Sequence, residues 1–146
     1  MTTQQAVDEV DLRARIDTLI ESVRTMDLDG IKTMFAPNLV SFDIEPPLRH
    51  LGAEAKWNNW IKVFGVFKAP LDYEVRDLTI HLSGDLAVAY SINHLSGTMR
   101  SGDRVDYWLR WTACFRKIDG TWLIAHDQVS VPTYFETGRA ALDLLP

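Results

Sequence analysis

Asp43 closes the stretch Phe35-Ala-Pro-Asn-Leu-Val-Ser-Phe-Asp43 and is the first residue of the chain whose setting suggests chemistry. It ends a short apolar run and is followed by Pro46-Pro47, Arg49-His50, Trp57 and Trp60. A carboxylate facing an apolar cavity there is desolvated, which raises its pKa and suits it to carry protons as a general base. The plainer alternative is a loop aspartate that caps or turns the backbone. His126 is the second candidate, since an imidazole titrates near neutral pH and can shuttle a proton or hydrogen-bond a ligand. Its alternative is a structural histidine bonded to a neighbouring strand or helix end.

The remaining candidates are binding groups. His50 lies seven residues beyond Asp43 across the Pro-Pro loop, over a pocket mouth or simply exposed. Trp57 and Trp60 share a helix face, as ligand platform or as core. Tyr90 and His94 fall on one face of a strand, with Tyr90 equally readable as core. The strand from Arg104 alternates Asp106, Trp108, Arg110, Thr112 and Cys114 with Val105, Tyr107, Leu109, Trp111 and Ala113. Either the apolar set is core and the mixed set outer, or Trp108 and Arg110 look into a polar pocket, where a buried arginine needs an anionic partner. In the last strand Trp122, Ile124, His126, Gln128 and Ser130 alternate to one face, and Asp127 and Val129 take the other. The four histidines, at 50, 81, 94 and 126, have no metal-ligand spacing, so neither a metal nor a cofactor is expected.

These groups must be positioned by regular elements. Leu12, Ile16, Leu19, Ile20 and Val23 recur at helical spacing between Val7 and Thr25. Asp27 is a suitable N-cap for a short second helix, and Leu39 to Asp43 reads as a strand. A third helix opens at Gly52, with Trp57, Trp60, Ile61 and Phe64 on one face, and closes by Pro70. Four strands follow, over Leu71–Leu82, Leu86–Met99, Arg104–Ile118 and Trp122–Val131. They are punctuated by Ser83-Gly84-Asp85, Arg100 to Asp103, and Asp119-Gly120, the clearest hairpin signal. The apolar phase of the first slips near Asp77-Leu78, which predicts a bulge. Residues 133–146 form a C-terminal tail or last helix. This order predicts an α+β fold of one domain, residues 1–146, with three N-terminal helices packed on a curved antiparallel sheet and a pocket at its mouth.

Composition narrows the partners. The chain has 146 residues, 47% hydrophobic, with net charge −5 and one cysteine, Cys114. An acidic chain without a basic stripe is not built for nucleic acid. A single cysteine excludes an internal disulfide. No apolar run reaches membrane-spanning length and the start is polar, so a cytoplasmic location without membrane contact is expected.

The layout resembles the cone-shaped fold shared by ketosteroid isomerases, nuclear transport factor 2 and the SnoaL-like enzymes. The stretch Met34-Phe35-Ala36, then Asp43, then nine residues to Gly52 and a helix, has the isomerase spacing. The segment from Asp119 to Pro132 is similar to the Gly-x-Trp-x-Ile-x-His-x-His-x-Ser-x-Pro ending of SnoaL-like proteins, with Gln128 at the second histidine. The resemblance implies that Asp43 is the general base and that the His126–Gln128 face lines the pocket. It also implies that Leu19 stands at the oxyanion-hole tyrosine, Phe35 and Trp60 at its supporting tyrosines, and Trp108 close to the protonated aspartate of that hole. Losing one such donor costs roughly a hundred- to a thousandfold in rate, so steroid isomerisation itself is not expected. Arg104-Val105-Asp106 with Asp127 resembles the Asp-Arg-Asp set of limonene epoxide hydrolases, although the spacing along the strands fits that set poorly. The expected function is proton transfer on a hydrophobic cyclic or polyketide-like molecule, by isomerisation, cyclisation or dehydration. The alternative is a non-catalytic ligand-binding or dimerisation module, and a homodimer through the outer sheet face is expected in either case.

Overall fold

The computed structural model describes residues 2–146. Helix α1 (Thr3–Arg24) starts earlier than its apolar stripe, because Thr2 and Gln5 form a reciprocal capping box. Leu12, Ile16, Leu19 and Val23 are buried along one face, each burial contributing roughly 1.5–3 kcal/mol. Asp27 caps α2 (Leu28–Lys32), its Oδ1 accepting from the Gly30 N–H at 3.1 Å. Strand β1 (Phe35–Phe42) leads through the Pro-Pro loop to the short β2 (His50–Leu51) and then α3 (Ala53–Val66). Strands β3 (Asp72–Ser83), β4 (Leu86–Thr98), β5 (Arg104–Ile118) and β6 (Thr121–Ser130) follow. The predicted turns fall where glycine relieves a positive φ, as at Gly84 (59°) and Gly120 (81°).

The sheet is six-stranded in the order β2-β1-β6-β5-β4-β3. It is mixed rather than wholly antiparallel, because β1 runs parallel to β6. The meander could be read from its hairpins, but β1 enters beside β6 from across the molecule and no turn chemistry announces it. Instead of a last helix, the tail forms a small hairpin, β7 (Thr133–Tyr134) with β8 (Arg139–Ala140).

Two irregularities set which side chains point inward. In β3 the register shifts between Arg76 and Thr79, with Asp77 at φ 57°, as its pattern predicts. In β6 it shifts between Cys114 and Phe115 of the partner strand, so that Ala125 is an extra residue. Past that bulge the alternation changes phase: Trp122 and Ile124 share their face with Asp127, not His126. The helices pack over this face, and the core runs from Leu12 and Val23 to Trp111, Phe115 and Trp122. No helix among the described residues is long and apolar enough to cross a membrane.

Candidate active site in the cone

Between α1, α3 and the concave sheet face lies a cavity of about 520 Å³. Ile16, Leu19 and Ile20 of α1 form one wall, and Trp60, Val63 and Val66 of α3 another. The sheet supplies Phe35, Val75, Leu95, Leu109, Trp111, Ile124 and Val129, and Ile44, Glu45 and Lys62 form an exposed rim. The walls are therefore apolar, and the ionised groups inside it converge at one corner.

That corner is built from three elements. Asp43 follows β1, Lys56 sits one turn into α3, and Asp127 lies on β6 beyond the bulge. Lys56 Nζ lies 2.9 Å from Asp43 Oδ2 and 3.0 Å from Asp127 Oδ2, and the three side chains are 3%, 10% and 2% exposed. Its third N–H points at Ser41 Oγ, 3.3 Å away, and Ser41 in turn donates to Asp127 Oδ1. All three ammonium protons are thus held by the protein. Asn59 Nδ2 donates to Asp43 Oδ2 at 3.0 Å and the Ile44 N–H to Oδ1 at 2.8 Å. One lone pair on Oδ1 has no donor among the described residues, and Asp43 is the most exposed member of the triad. It is the acceptor available to a bound molecule.

Burial alone would push the Asp43 carboxyl up, as the sequence suggests. The charge of Lys56 and the hydrogen bonds from Lys56, Asn59 and Ile44 outweigh it, and the carboxyl is held below its ordinary value. Burial pushes the Lys56 ammonium down, but Asp127 and Asp43 more than offset this and raise it. Two aspartates and one lysine give the corner a formal net charge of −1, which disfavours acidic ligands.

A second polar group crosses the sheet opposite. Tyr73 of β3 and Tyr107 of β5 flank Leu95 of β4 in one cross-strand row. Ser91 Oγ donates to Asn93 Oδ1 at 2.6 Å, and Asn93 Nδ2 donates to Tyr73 Oη at 2.7 Å.

Of the residues singled out by sequence, Asp43, Leu19, Phe35, Trp60 and Asp127 line the cavity. His50 is buried behind the corner, where its Nε2–H donates to the Glu45 carbonyl at 2.9 Å, so it is neither an exposed loop residue nor a cavity wall. Trp57 turns aside to lie beneath Lys32, 5.3 Å from its ring centre. The expectation for His126 is corrected: the bulge turns it to the outer face, where Nδ1–H donates to the Val40 carbonyl and the ring meets Phe42 edge-on at 4.7 Å. Gln128 is exposed on the same face. The two faces of β5 are likewise resolved in favour of hydrophobic patterning, since Tyr107, Leu109 and Trp111 look inward. Trp108 and Arg110 look outward, Arg110 donating to Ser130 Oγ at 3.2 Å. His94 stacks on Trp108 at 4.5 Å and bonds Asp106 at 2.6 Å, and Tyr90 lies exposed beside His81, all outside the cavity. Arg104 and Asp106 are exposed, so neither joins Asp127.

Sequence reasoning missed Lys56, Asn59, Tyr73, Asn93 and Tyr107, and it named Asp127 only in a set with Arg104 and Asp106. A signal existed for Lys56, because Ala53, Lys56, Trp60, Val63 and Phe67 repeat at helical spacing and place a lysine in the buried stripe. Among the described residues no cluster of three or more His, Cys, Asp or Glu is placed to hold a metal ion.

A SnoaL-like domain family matches residues 12–134. The structure is similar to an NTF2-like protein of unknown function from Pseudomonas putida KT2440, with 30% identity, 97% of this chain and 98% of that one covered, and a TM-score of 0.87. It is similar in fold to a ketosteroid isomerase-like protein from Erwinia carotovora atroseptica SCRI1043, with 17% identity, coverages of 83% and 93%, and a TM-score of 0.70. The association domain of C. elegans CaMKII shares the fold at 14% identity, with coverages of 89% and 100% and a TM-score of 0.69. No curated protein matches the chain. With most of its length, residues 12–134, covered by the family match, and with the NTF2-like architecture around its cavity, the chain belongs to the SnoaL-like domain family.

Proposed function

We propose that the chain is a small-molecule enzyme that moves a proton within an apolar, cyclic or polyketide-like substrate held in the cone, with Asp43 as the base. The observation that carries this reading is the one ionised corner inside a largely apolar cavity, where a lone pair of Asp43 Oδ1 has no donor among the described residues. In the step itself, the Asp43 carboxylate takes a proton from the substrate and the C–H or O–H electron pair stays on the substrate. The carboxylic acid so formed returns the proton at a second atom, which regenerates the base for an isomerisation or cyclisation. For a dehydration the proton goes to a departing hydroxyl, which leaves as water. Lys56 stabilises the ionised base, its ammonium held by Asp43, Asp127 and Ser41.

A second reading, a ligand-binding module without turnover, is favoured by the lowered pKa of Asp43, because a weak base abstracts protons less readily. Either form works as a homodimer through the outer face of the sheet. Incubating a hydrophobic metabolite extract with wild type and with Asp43→Asn, followed by mass spectrometry, separates the two. A compound consumed by wild type and merely retained by the variant supports the enzyme; retention by both without conversion supports the binding module.

A further inference from the structure

The inner face of β4 carries two polar residues where apolar ones would pack. Ser91 is 6% exposed and Asn93 1% exposed. Buried polar groups are kept when they are hydrogen-bonded, and these two are, but only by handing the bond along. Ser91 donates to Asn93, Asn93 donates to Tyr73, and Tyr73 lines the cavity. Every donor in the series points the same way. With its oxygen accepting from Asn93, the Tyr73 O–H is left as a donor for which no protein acceptor lies within hydrogen-bonding distance among the described residues. Bonds aligned in this way polarise one another, so the terminal O–H is a stronger donor than an isolated phenol.

We propose that Tyr73, oriented by Asn93 and Ser91, is the specificity-determining donor of the cavity, and that it selects neutral apolar molecules bearing an acceptor oxygen such as a ketone. This rests on the reading of the cavity as a substrate site and adds a second pole to it. The ligand lies between an acceptor, Asp43, and a donor, Tyr73. Two further observations agree. Burial above all raises the phenol beyond its ordinary value, against the hydrogen bond from Asn93, which keeps it a donor at neutral pH. The net −1 charge of the carboxylate corner opposes an acidic ligand and leaves a neutral oxygen as the partner for the phenol.

The test compares 1-tetralone with tetralin, which has the same fused-ring frame without the oxygen. Dissociation constants are measured by tryptophan fluorescence and calorimetry for wild type, Tyr73→Phe, Tyr107→Phe and Asp43→Asn, each first checked for native circular dichroism. Wild type should prefer the ketone by about fivefold, the net worth of one hydrogen bond, and Tyr73→Phe should lose that preference while keeping its tetralin affinity. Tyr107→Phe should retain it. Equal affinity of wild type for the two compounds, no measurable ketone binding, or loss of the preference in Tyr107→Phe instead of Tyr73→Phe overturns the proposal. Deuterium exchange at the ketone's α-carbon, followed by NMR in the same samples, reads the proton-transfer reading separately. Ketone preference without Asp43-dependent exchange leaves Tyr73 as the selecting donor and removes Asp43 as base towards this ketone.

Discussion

Lys56 is the residue on which the polar corner depends. Its ammonium separates two carboxylates that would otherwise face each other in an apolar wall, and it lowers one of them. Replacing it with methionine keeps the stem and leaves both carboxylates unneutralised. Breaking a buried ion pair from one side costs about 3–5 kcal/mol, and Lys56→Met should lose stability on that scale in urea unfolding at pH 7. The pH profile checks the cause. Asp43 is held below its ordinary 3.8 and Lys56 above its ordinary 10.5. A carboxyl lowered by folding adds stability that is complete above its unfolded pKa and is lost as pH falls through the folded one. An ammonium raised by folding adds stability that is complete below its unfolded pKa and is lost as pH rises through the folded one. Wild type should therefore hold a plateau from about pH 5 to pH 10 and weaken below about pH 4. In Lys56→Met, protonating the carboxylates relieves their repulsion, so its deficit should shrink in acid; a deficit independent of pH would assign the loss to packing instead. Turnover, if Asp43 is the base, should be flat across neutral pH and fall only in acid, because the carboxylate is already ionised there.

At the scale of elements, what could be read from the sequence followed from periodicity and turn chemistry. The α1 stripe, the β3 bulge and the Asp119-Gly120 hairpin each rest on local patterns, and each is where it was expected. The candidate site was legible at Asp43, Leu19, Phe35 and Trp60, with Asp127 named for a different set. Strict alternation assigned His126 to the inner face of β6, and one extra residue, Ala125, exchanged it for Asp127. A bulge at an alanine has no glycine to mark it, so its consequence for every later side chain is invisible to a period-two reading. Lys56 was hidden for the opposite reason: a lysine in a helix is usually solvated, and only its carboxylate partners, distant in sequence, make burial tolerable. Packing at the far end of the cavity makes a further element-scale prediction. Gly97 of β4 lies against Leu71 and Phe67, and a Cβ built there would stand 2.8 Å from Leu71 Cδ2. Gly97→Ala should cost about 1–3 kcal/mol by overpacking, read from the urea midpoint, and should move Phe67 into the cavity it lines. An unchanged midpoint would mean that Leu71 gives way freely.

The whole molecule presents two unlike surfaces of one sheet. The concave face is closed over by helices and holds the cavity, whereas the outer face is covered by no element among the described residues. That face carries a stack in which Arg76 lies 4.6 Å over the Trp108 ring and His94 lies on it at 4.5 Å. Tyr90, 44% exposed, and Phe42, 41% exposed, stand on the same sheet, with Arg110 between their strands. Tryptophan, tyrosine and arginine are the side chains most enriched where protein surfaces meet, since each couples a large apolar area to a fixed polar group. Residues first considered as pocket groups are thus gathered on a surface suited to a second copy. If that copy binds there, a charge placed in the middle of the stack must be desolvated without a partner on assembly. Trp108→Glu should then convert a dimer to a monomer in sedimentation at micromolar concentration, with native circular dichroism retained. Because the cavity opens on the other side of the sheet, ligand affinity of the monomer should stay within about threefold of wild type, well under the tenfold that about 1.4 kcal/mol would bring. A wild-type chain that already sediments as a monomer would reject the interface, and a monomeric variant that loses its ligand would show that the two faces are coupled through β4 and β5.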